Sequence, residues 1–202
     1  MRLEGFHALK HAIRFGAELV EVRGDRAEAE QLAAALAPDL ILPEMEPAQE
    51  LVALARRPAY ELEATLARPG PIIFLEHPRH LGNLGAAIRV AAAAGAAGVL
   101  TTGDPWHPHA VRGAAGLQFA LPVLRVPALP DSDRPLIAVD PDGEETTAPQ
   151  DAILAFGSER HGLTEETKRR AQARLRIPMR EGVSSLNLAT AVAATLYRAA
   201  VA

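Results

Sequence analysis

The stretch Ala152-Ile153-Leu154-Ala155-Phe156-Gly157-Ser158-Glu159-Arg160-His161-Gly162 decides the fold class of this chain. Its first five residues are all apolar, and they end abruptly in a polar loop with a glycine at either end. An apolar run without alternation is typical of a strand buried on both faces, as in a parallel sheet covered by helices. We therefore predict an α/β fold whose central sheet is mostly parallel.

Other apolar runs predict the neighbouring strands of this sheet. They lie at residues 72–75, 98–100 and 136–139, with shorter candidates at 123–126 and 174–177. Between the strands, the pattern predicts helices at about 84–94, at about 165–173 and from 186 to the C-terminus. This order of elements predicts an open sheet with helices on both faces.

A small α/β unit is predicted ahead of this sheet, in residues 1–66. The pattern there indicates a helix at 5–13, a strand at 19–22, a helix at 27–37, a strand at 40–42 and a helix at about 47–56. The helix-breaking cluster Arg68-Pro69-Gly70-Pro71 follows. We therefore expect two domains, comprising residues 1–66 and 71–202.

The composition is ordinary for a globular protein and excludes several kinds of site. Of the 202 residues, 49% are hydrophobic and 23% are charged, and the formal net charge is −4. Cysteine is absent, which excludes disulfides, thiolate zinc sites and cysteine nucleophiles. Since no apolar run reaches about 18 residues and no signal-peptide pattern follows Met1, we expect a cytoplasmic protein without membrane attachment.

Three polar, glycine-containing segments follow predicted strands. They are Asn83-Leu-Gly-Ala-Ala-Ile-Arg89, Gly157-Ser-Glu-Arg-His-Gly162 and Ile177-Pro-Met-Arg-Glu-Gly-Val-Ser-Ser-Leu-Asn187. In a parallel α/β sheet, ligands bind outside the carboxyl ends of the strands. The three segments therefore predict one composite active site at that edge.

Each segment also allows a purely structural interpretation. Residues 157–162 suit either a tight turn before a helix capped by Thr164 or a backbone cradle for a nucleoside-bearing cofactor. Ser185 suits either the N-cap of the last helix or a ligand contact at the helix N-terminus. Arg89 suits either an internal salt bridge or an outward guanidinium that contacts phosphate.

Two further features leave alternatives open. The basic stretch formed by Lys168-Arg169-Arg170, Arg174, Arg176 and Arg180 is either a solvated surface or a phosphate-binding one. The final helix carries an apolar stripe of Leu186, Ala189, Ala193, Leu196 and Ala200. Small residues dominate its surface, so it is either a core helix or one that packs partly against a second subunit.

The combined pattern resembles the SpoU (TrmH) family of RNA ribose 2′-O-methyltransferases, within the SPOUT superfamily. The resemblance covers residues 71–202. The family's Asn-x-Gly-x-x-x-Arg motif is matched at Asn83, Gly85 and Arg89, and its Gly-Ser-Glu-x-x-Gly motif at residues 157–162. Its third motif is matched by Ile177-Pro178-Met179 and Ser185-Leu186-Asn187.

The resemblance implies a deep C-terminal trefoil knot, which is a rare exception to unknotted chains. It implies S-adenosyl-L-methionine held in the knot, and a homodimer with the C-terminal helix at the interface. It requires no metal, although His77, His80, His107 and His109 are spaced as metal ligands could be. The residues it implies for cofactor binding are Gly157, Ile177, Met179 and Leu186, and those for catalysis are Arg89, Asn83, Glu159, Ser185 and Asn187.

The predicted activity is therefore S-adenosylmethionine-dependent methyl transfer to a ribose 2′-hydroxyl in structured RNA. Residues 1–66 weakly resemble the L30-like substrate-binding domain of many members, in a reduced form that favours ribosomal over transfer RNA. Arg160 stands where the second motif often has glycine. The alternatives are a non-catalytic RNA-binding or assembly protein that retains the fold, and methyl transfer to a base or a tRNA site.

Overall fold

The structure, a computed structural model, describes residues 1–201 and the side chains of residues 1–198. It contains two β-sheets. The strands are β1 (Arg2–Glu4), β2 (Leu19–Arg23), β3 (Met45–Glu46), β4 (Val52–Ala55), β5 (Ile72–Leu75), β6 (Gly98–Thr101), β7 (Val123–Arg125), β8 (Leu136–Glu144), β9 (Ile153–Phe156) and β10 (Ala173–Leu175). The helices are α1 (Phe6–Arg14), α2 (Arg26–Leu36), α3 (Leu62–Leu66), α4 (Leu81–Ala93), α5 (Pro108–Ala114), α6 (Glu165–Arg170) and α7 (Leu188–Val201), with a 3-10 turn at Leu117–Phe119.

The second sheet confirms the predicted parallel α/β architecture. Its strand order is β10-β8-β9-β5-β6-β7, and every pairing is parallel. Alternate residues of β5 enter different cores, with Ile73 and Leu75 on one face and Ile72 and Phe74 on the other. Helices α4, α5 and α7 cover the first face, while α3 and the region around α6 cover the second. Burial on both faces explains why these strands are apolar throughout.

The N-terminal unit has a four-stranded sheet of order β1-β4-β2-β3, against which α1 and α2 pack. Two predictions in this unit are wrong. Residues 40–42 are not a strand, and the strand instead forms at Met45–Glu46 beside β2. The helix predicted at 47–56 is replaced by β4, which pairs antiparallel with both β1 and β2. Its side chains alternate, with Ala53 and Ala55 buried and Leu54 exposed, so tertiary pairing overrides the helical composition.

The two sheets are joined through direct contacts as well as through α3. Val111 of α5 belongs to the hydrophobic core of the N-terminal unit. His11 Nδ1 lies 2.7 Å from the carbonyl oxygen of Ala115, and the Tyr60 hydroxyl donates to the carbonyl of Gln118 at 3.0 Å. The N-terminal unit is therefore docked on the α5 region.

The buried side of α7 differs from the predicted stripe. Leu188, Val192, Thr195 and Leu196 are buried, whereas Ala189 and Ala193 are only partly buried. Of the predicted stripe, Leu196 alone is in the core, Leu186 precedes the helix, and the side chain of Ala200 lies outside the described residues. The partly buried small residues leave a second face of α7 open.

Candidate functional site

The carboxyl end of β9 and the part of β8 just beyond its pairing with β9 border a cavity of about 290 Å³. Three separate segments contribute most of its walls. It is lined by Val139, Asp140, Pro141, Phe156, Gly157, Ser158, Glu159, Arg160, Gly162, Ile177, Met179, Ser184, Ser185, Leu186, Leu188 and Ala191. All four predicted cofactor residues, Gly157, Ile177, Met179 and Leu186, are among them. A second, apolar cavity of about 240 Å³ shares only Ile177 with the first and holds no other predicted site residue.

The loop at 157–162 is a closed turn that forms one wall of this cavity. Ser158 and Gly162 exchange two backbone hydrogen bonds, each of 3.0 Å. A Cβ atom on Gly157 would lie 1.9 Å from the carbonyl carbon of Gly162, so no larger residue fits without moving the loop. Thr164 caps α6 as predicted, since its hydroxyl accepts from the Thr167 N–H. The structural and ligand-cradling interpretations of this loop are therefore compatible.

Glu76 anchors the same loop, and the sequence interpretation missed it. Its carboxylate is buried at 6% exposure, directly after β5. Oε2 accepts from the Thr164 N–H at 2.7 Å, while Oε1 accepts from the hydroxyls of Thr164 at 2.9 Å and Thr167 at 2.6 Å. A charged residue immediately after a doubly buried strand was the available signal. Glu76 fixes the start of α6 relative to the end of β5.

A chain of hydrogen bonds links all three predicted segments. Asn83 Nδ2 donates to Glu159 Oε1 at 2.9 Å, and Asn187 Nδ2 donates to Asn83 Oδ1 at 3.1 Å. Glu159 Oε2 also accepts from the Arg79 N–H at 3.0 Å. These bonds place Asn83, Glu159 and Asn187 side by side at the edge of the cavity.

The pKa of the Glu159 carboxyl lies below its usual value. Burial by itself raises this pKa, but hydrogen bonds from Asn83 and from the backbone N–H groups of Glu159, Arg79 and His80 outweigh that effect. Glu159 is therefore a carboxylate at neutral pH and can only accept hydrogen bonds.

The N-terminus of α7 is capped by Asn187, so of the two interpretations of Ser185 the N-cap is wrong. The helix begins at Leu188, and Asn187 Oδ1 accepts from the Ala189 N–H at 2.9 Å. Ser185 lies two residues earlier, where it is exposed and lines the cavity. The one side chain of Asn187 thus both caps α7 and binds Asn83.

Arg89 lies apart from the other predicted catalytic residues. It is exposed on α4, it does not line the cavity, and no described residue forms an ion pair or hydrogen bond with its side chain. The internal salt bridge is therefore not formed. Since Asn83 and Arg89 are six residues apart in one helix, their side chains leave the helix in directions about 120° apart around its axis.

The basic stretch around α6 is used partly for structure. Lys168 Nζ lies 3.2 Å from Asp140 Oδ2, and Arg176 pairs with Glu145 at 3.0 Å. The Arg170 guanidinium donates to the carbonyls of Leu129 and Pro130. These three cations therefore have protein partners. Arg169, Arg174 and Arg180 are exposed, and Arg169 Nε donates to the Glu165 carbonyl of its own helix at 3.3 Å.

Two kinds of feature are absent from the described part of the chain. No group of three or more histidine, aspartate or glutamate side chains is placed to hold a metal ion among these residues. Within residues 1–201, no helix combines the length and apolarity needed to cross a membrane.

Comparison with known proteins identifies the family of this fold and site. The SpoU rRNA Methylase family model matches residues 70–197. The chain is 31% identical over 188 residues to a 23S rRNA (uridine(2479)-2′-O)-methyltransferase of Streptomyces viridochromogenes, a match that covers 82% of this chain and 66% of that protein. It spans 52% and 57% of two other curated relatives, which are uncharacterized tRNA/rRNA methyltransferases.

Solved structures give the same result. The crystal structure of the SpoU methyltransferase AviRb from Streptomyces viridochromogenes in complex with the cofactor AdoMet superposes with a TM-score of 0.80 at 25% identity, covering 98% of this chain and 88% of that one. An RNA 2′-O ribose methyltransferase structure gives a TM-score of 0.76 at 30% identity, covering 99% and 87%. The chain therefore belongs to the SpoU rRNA methylase family.

Proposed function

We propose that this chain transfers a methyl group from S-adenosyl-L-methionine to a ribose 2′-hydroxyl in structured RNA, with ribosomal RNA favoured. One observation carries the proposal. Segments around residues 157, 179 and 186 line one cavity, and the hydrogen bonds of Asn83 with Glu159 and Asn187 tie its edge together. The names of the curated 23S rRNA relatives support the choice of RNA.

The cavity suits the cofactor. Ile177, Met179, Leu186 and Leu188 give it apolar walls, and the closed loop after Gly157 presents backbone at close range. The ionised Glu159 carboxylate gives one edge a negative charge, which complements a sulfonium cation. When bound, S-adenosylmethionine would supply an electrophilic methyl group and leave as a thioether.

The polar edge positions the RNA. Glu159 holds the side-chain amide of Asn83 through one oxygen and the backbone of the 77–80 segment through the other. Asn187 orients the other end of Asn83, and Ser185 presents its hydroxyl at the cavity. We assign to these four side chains the placement of the ribose hydroxyl against the methyl donor.

We infer that Arg89 completes the site from a second copy of the chain. Within one chain it is exposed and does not line the cavity, while α7 presents partly buried small residues beside α4. A homodimer built on these helices would bring the Arg89 of one protomer to the cavity of its partner. Arginine is a very weak base, so its planar guanidinium fits phosphate placement better than proton removal.

Mixing two inactive variants tests this arrangement. Arg89→Ala removes the guanidinium but keeps the cavity intact. Gly157→Val disrupts the cavity but keeps Arg89. If Arg89 acts across the interface, one site in each mixed dimer is intact, and random mixing restores about a quarter of wild-type activity. If Arg89 acts within its own chain, the mixture stays inactive, which would refute the shared site.

We propose a deep trefoil knot at the C-terminal end of the second sheet. The strand order, in which β9 lies between β8 and β5, and the meeting of the 157–162 and 176–187 segments in one cavity support it. We also propose that residues 1–66 and 71–202 act as a substrate-binding unit and a methyltransferase domain. Because Leu62 and Leu66 pack in the core of the second sheet, a truncation is better made before α3.

The activity is tested with purified protein, labelled S-adenosylmethionine and RNA from cells that lack this gene. We expect label in ribosomal RNA, in nucleosides whose ribose is methylated. Label on a base would replace the proposed ribose chemistry, and RNA binding without transfer would leave a non-catalytic RNA-binding protein. Fractionation of cells tests the predicted cytoplasmic location.

A further inference from the structure

Asp140 is a buried carboxylate at the cavity for which the proposed function gives no role. It follows Val139, which pairs with Phe156 of β9, and it therefore lies level with Gly157 on the neighbouring strand. It lines the cavity and is only 6% exposed. A buried charge is costly unless it is paired, and this one is paired with Lys168 at 3.2 Å.

The position of Asp140 in the sheet places it at the end of the cavity away from the reacting groups. Strand β9 lies between β8 and β5. Glu159 reaches the segment after β5, where it binds Asn83, whereas Asp140 belongs to β8 on the other side. A cofactor with its methyl group near Glu159 therefore extends its remaining groups towards Asp140.

The Asp140 carboxylate keeps free hydrogen-bonding capacity. Oδ1 accepts from the Asp142 N–H at 2.9 Å, and Oδ2 faces Lys168 Nζ. A carboxylate has about four acceptor positions, so roughly two remain for a ligand. The hydrogen bond with Asp140 also raises the pKa of Lys168, which keeps this cation charged and the carboxylate held in place. What Asp140 offers a ligand is a fixed acceptor.

We propose that Asp140 binds the ribose hydroxyls of the cofactor's adenosine and so selects an intact ribose diol. The inference rests on the proposed function, because it assumes that this cavity holds S-adenosylmethionine. Its general basis is that a carboxylate at the carboxyl end of a neighbouring parallel strand accepts hydrogen bonds from a nucleoside ribose in dinucleotide-binding sheets. Lys168, which does not line the cavity, is a positioning residue that holds the Asp140 carboxylate in place.

Calorimetry with cofactor fragments tests the assignment. The probes are S-adenosylhomocysteine, 5′-methylthioadenosine, and the 2′-deoxy and 3′-deoxy forms of 5′-methylthioadenosine. Wild-type protein should bind methylthioadenosine about 10- to 100-fold more tightly than at least one deoxy form, which is the range for a hydrogen bond to a charged group. Asp140→Ala should bind all three methylthioadenosines equally, at the weaker affinity.

Two variants guard against a merely structural effect. Asp140→Asn keeps the shape and one acceptor oxygen, so it should discriminate less than wild type and more than Asp140→Ala. Glu165→Gln removes the other carboxylate near Lys168. Because Glu165 does not line the cavity, this variant should keep the wild-type ratio of affinities for methylthioadenosine and its deoxy forms. The readout is a ratio of affinities within one variant, so it is insensitive to the fraction of folded protein.

Three outcomes would overturn the assignment. Wild type could bind the deoxy forms as tightly as methylthioadenosine, or Asp140→Ala could keep the wild-type ratio. Asp140→Ala could also weaken S-adenosylhomocysteine but not methylthioadenosine, which would make the amino group of the methionine part the ligand. A wild-type protein that binds none of these probes and transfers no methyl group would instead refute the proposed function itself.

Discussion

Asn83 donates its side-chain amide to Glu159 at 2.9 Å, across 76 residues of sequence. The bond joins the first turn of α4 to the loop that walls the cavity, and Asn187 at the start of α7 binds the other end of the same amide. An asparagine suits this position because it offers a donor to the carboxylate and an acceptor to the second amide. Aspartate has no donor for Glu159, and leucine has neither group.

We expect Asn83→Ala to lower the turnover number about 100-fold, as the loss of one preorganised hydrogen-bonding group does in other enzymes. The affinity for S-adenosylmethionine should change less than about threefold, because Asn83 does not line the cavity. Single-turnover methylation and calorimetry measure the two quantities. Asn83→Asp should be at least as harmful, since it places a carboxylate against Glu159. An Asn83→Ala protein with normal turnover would remove Asn83 from the catalytic set.

Gly85 in the first motif is required for packing. A Cβ atom there would lie 2.1 Å from the carbonyl oxygen of Ala110 in α5, whereas a Cβ on Gly82 in the same helix meets nothing within 4 Å. We expect Gly85→Ala to destabilise the protein by about 2–4 kcal/mol through overpacking and forced backbone shifts. The matched variant Gly82→Ala should be neutral or stabilising by up to about 1 kcal/mol. Chemical denaturation measures both, and equal effects would contradict this explanation.

The second sheet could be predicted because the composition of each central strand reflects its burial on both faces. A run such as Ile72-Ile73-Phe74-Leu75 is apolar at every position only where both faces are covered. The strand at Val52–Ala55 has no such continuous run of large apolar residues. Its four small and apolar residues lie between Leu51 and Arg56, and only its pairing with β1 and β2 makes it a strand.

The sequence predicted which segments of the chain form the site, but it predicted less well how their side chains are arranged. The family resemblance implied four cofactor residues that all line the cavity, but its first motif grouped Asn83 with Arg89, which helix geometry separates. The role of Glu76 was not predicted because its partners, Thr164 and Thr167, lie about 90 residues away in the chain. The sequence suggested Ser185 as the cap of the last helix, whereas the helix begins at Leu188 and Asn187 caps it.

Arg89→Ala should abolish turnover while leaving both folding and cofactor affinity intact. The side chain is exposed, and no described residue binds it, so its removal should change the free energy of unfolding by less than about 0.5 kcal/mol. The affinity for S-adenosylmethionine should stay within about twofold of wild type, since Arg89 does not line the cavity of its own chain. Arg89→Lys should recover little activity, because an ammonium group lacks the planar fork. A large loss of cofactor affinity in calorimetry would contradict the role assigned to Arg89.

The lowered pKa of Glu159 predicts how the stability of the protein depends on pH. A carboxyl group whose pKa is lower in the folded than in the unfolded chain stabilises the fold above the unfolded value, taken as 4.5, and loses that contribution as the pH falls through the folded pKa. We therefore expect wild type to be more stable than Glu159→Gln at pH 7, and the difference to shrink below pH 4.5. Urea denaturation at a series of pH values measures it.

The matched control is Glu181→Gln, because Glu181 is an exposed carboxylate. It should differ little from wild type across the same pH range. The Glu159 difference should also shrink in an Asn83→Ala background, since the amide of Asn83 is the largest of the causes that lower the pKa. If the Glu159→Gln difference were instead independent of pH, the variant would be losing shape or packing rather than a charge, and the carboxylate would not be what holds Asn83 in place.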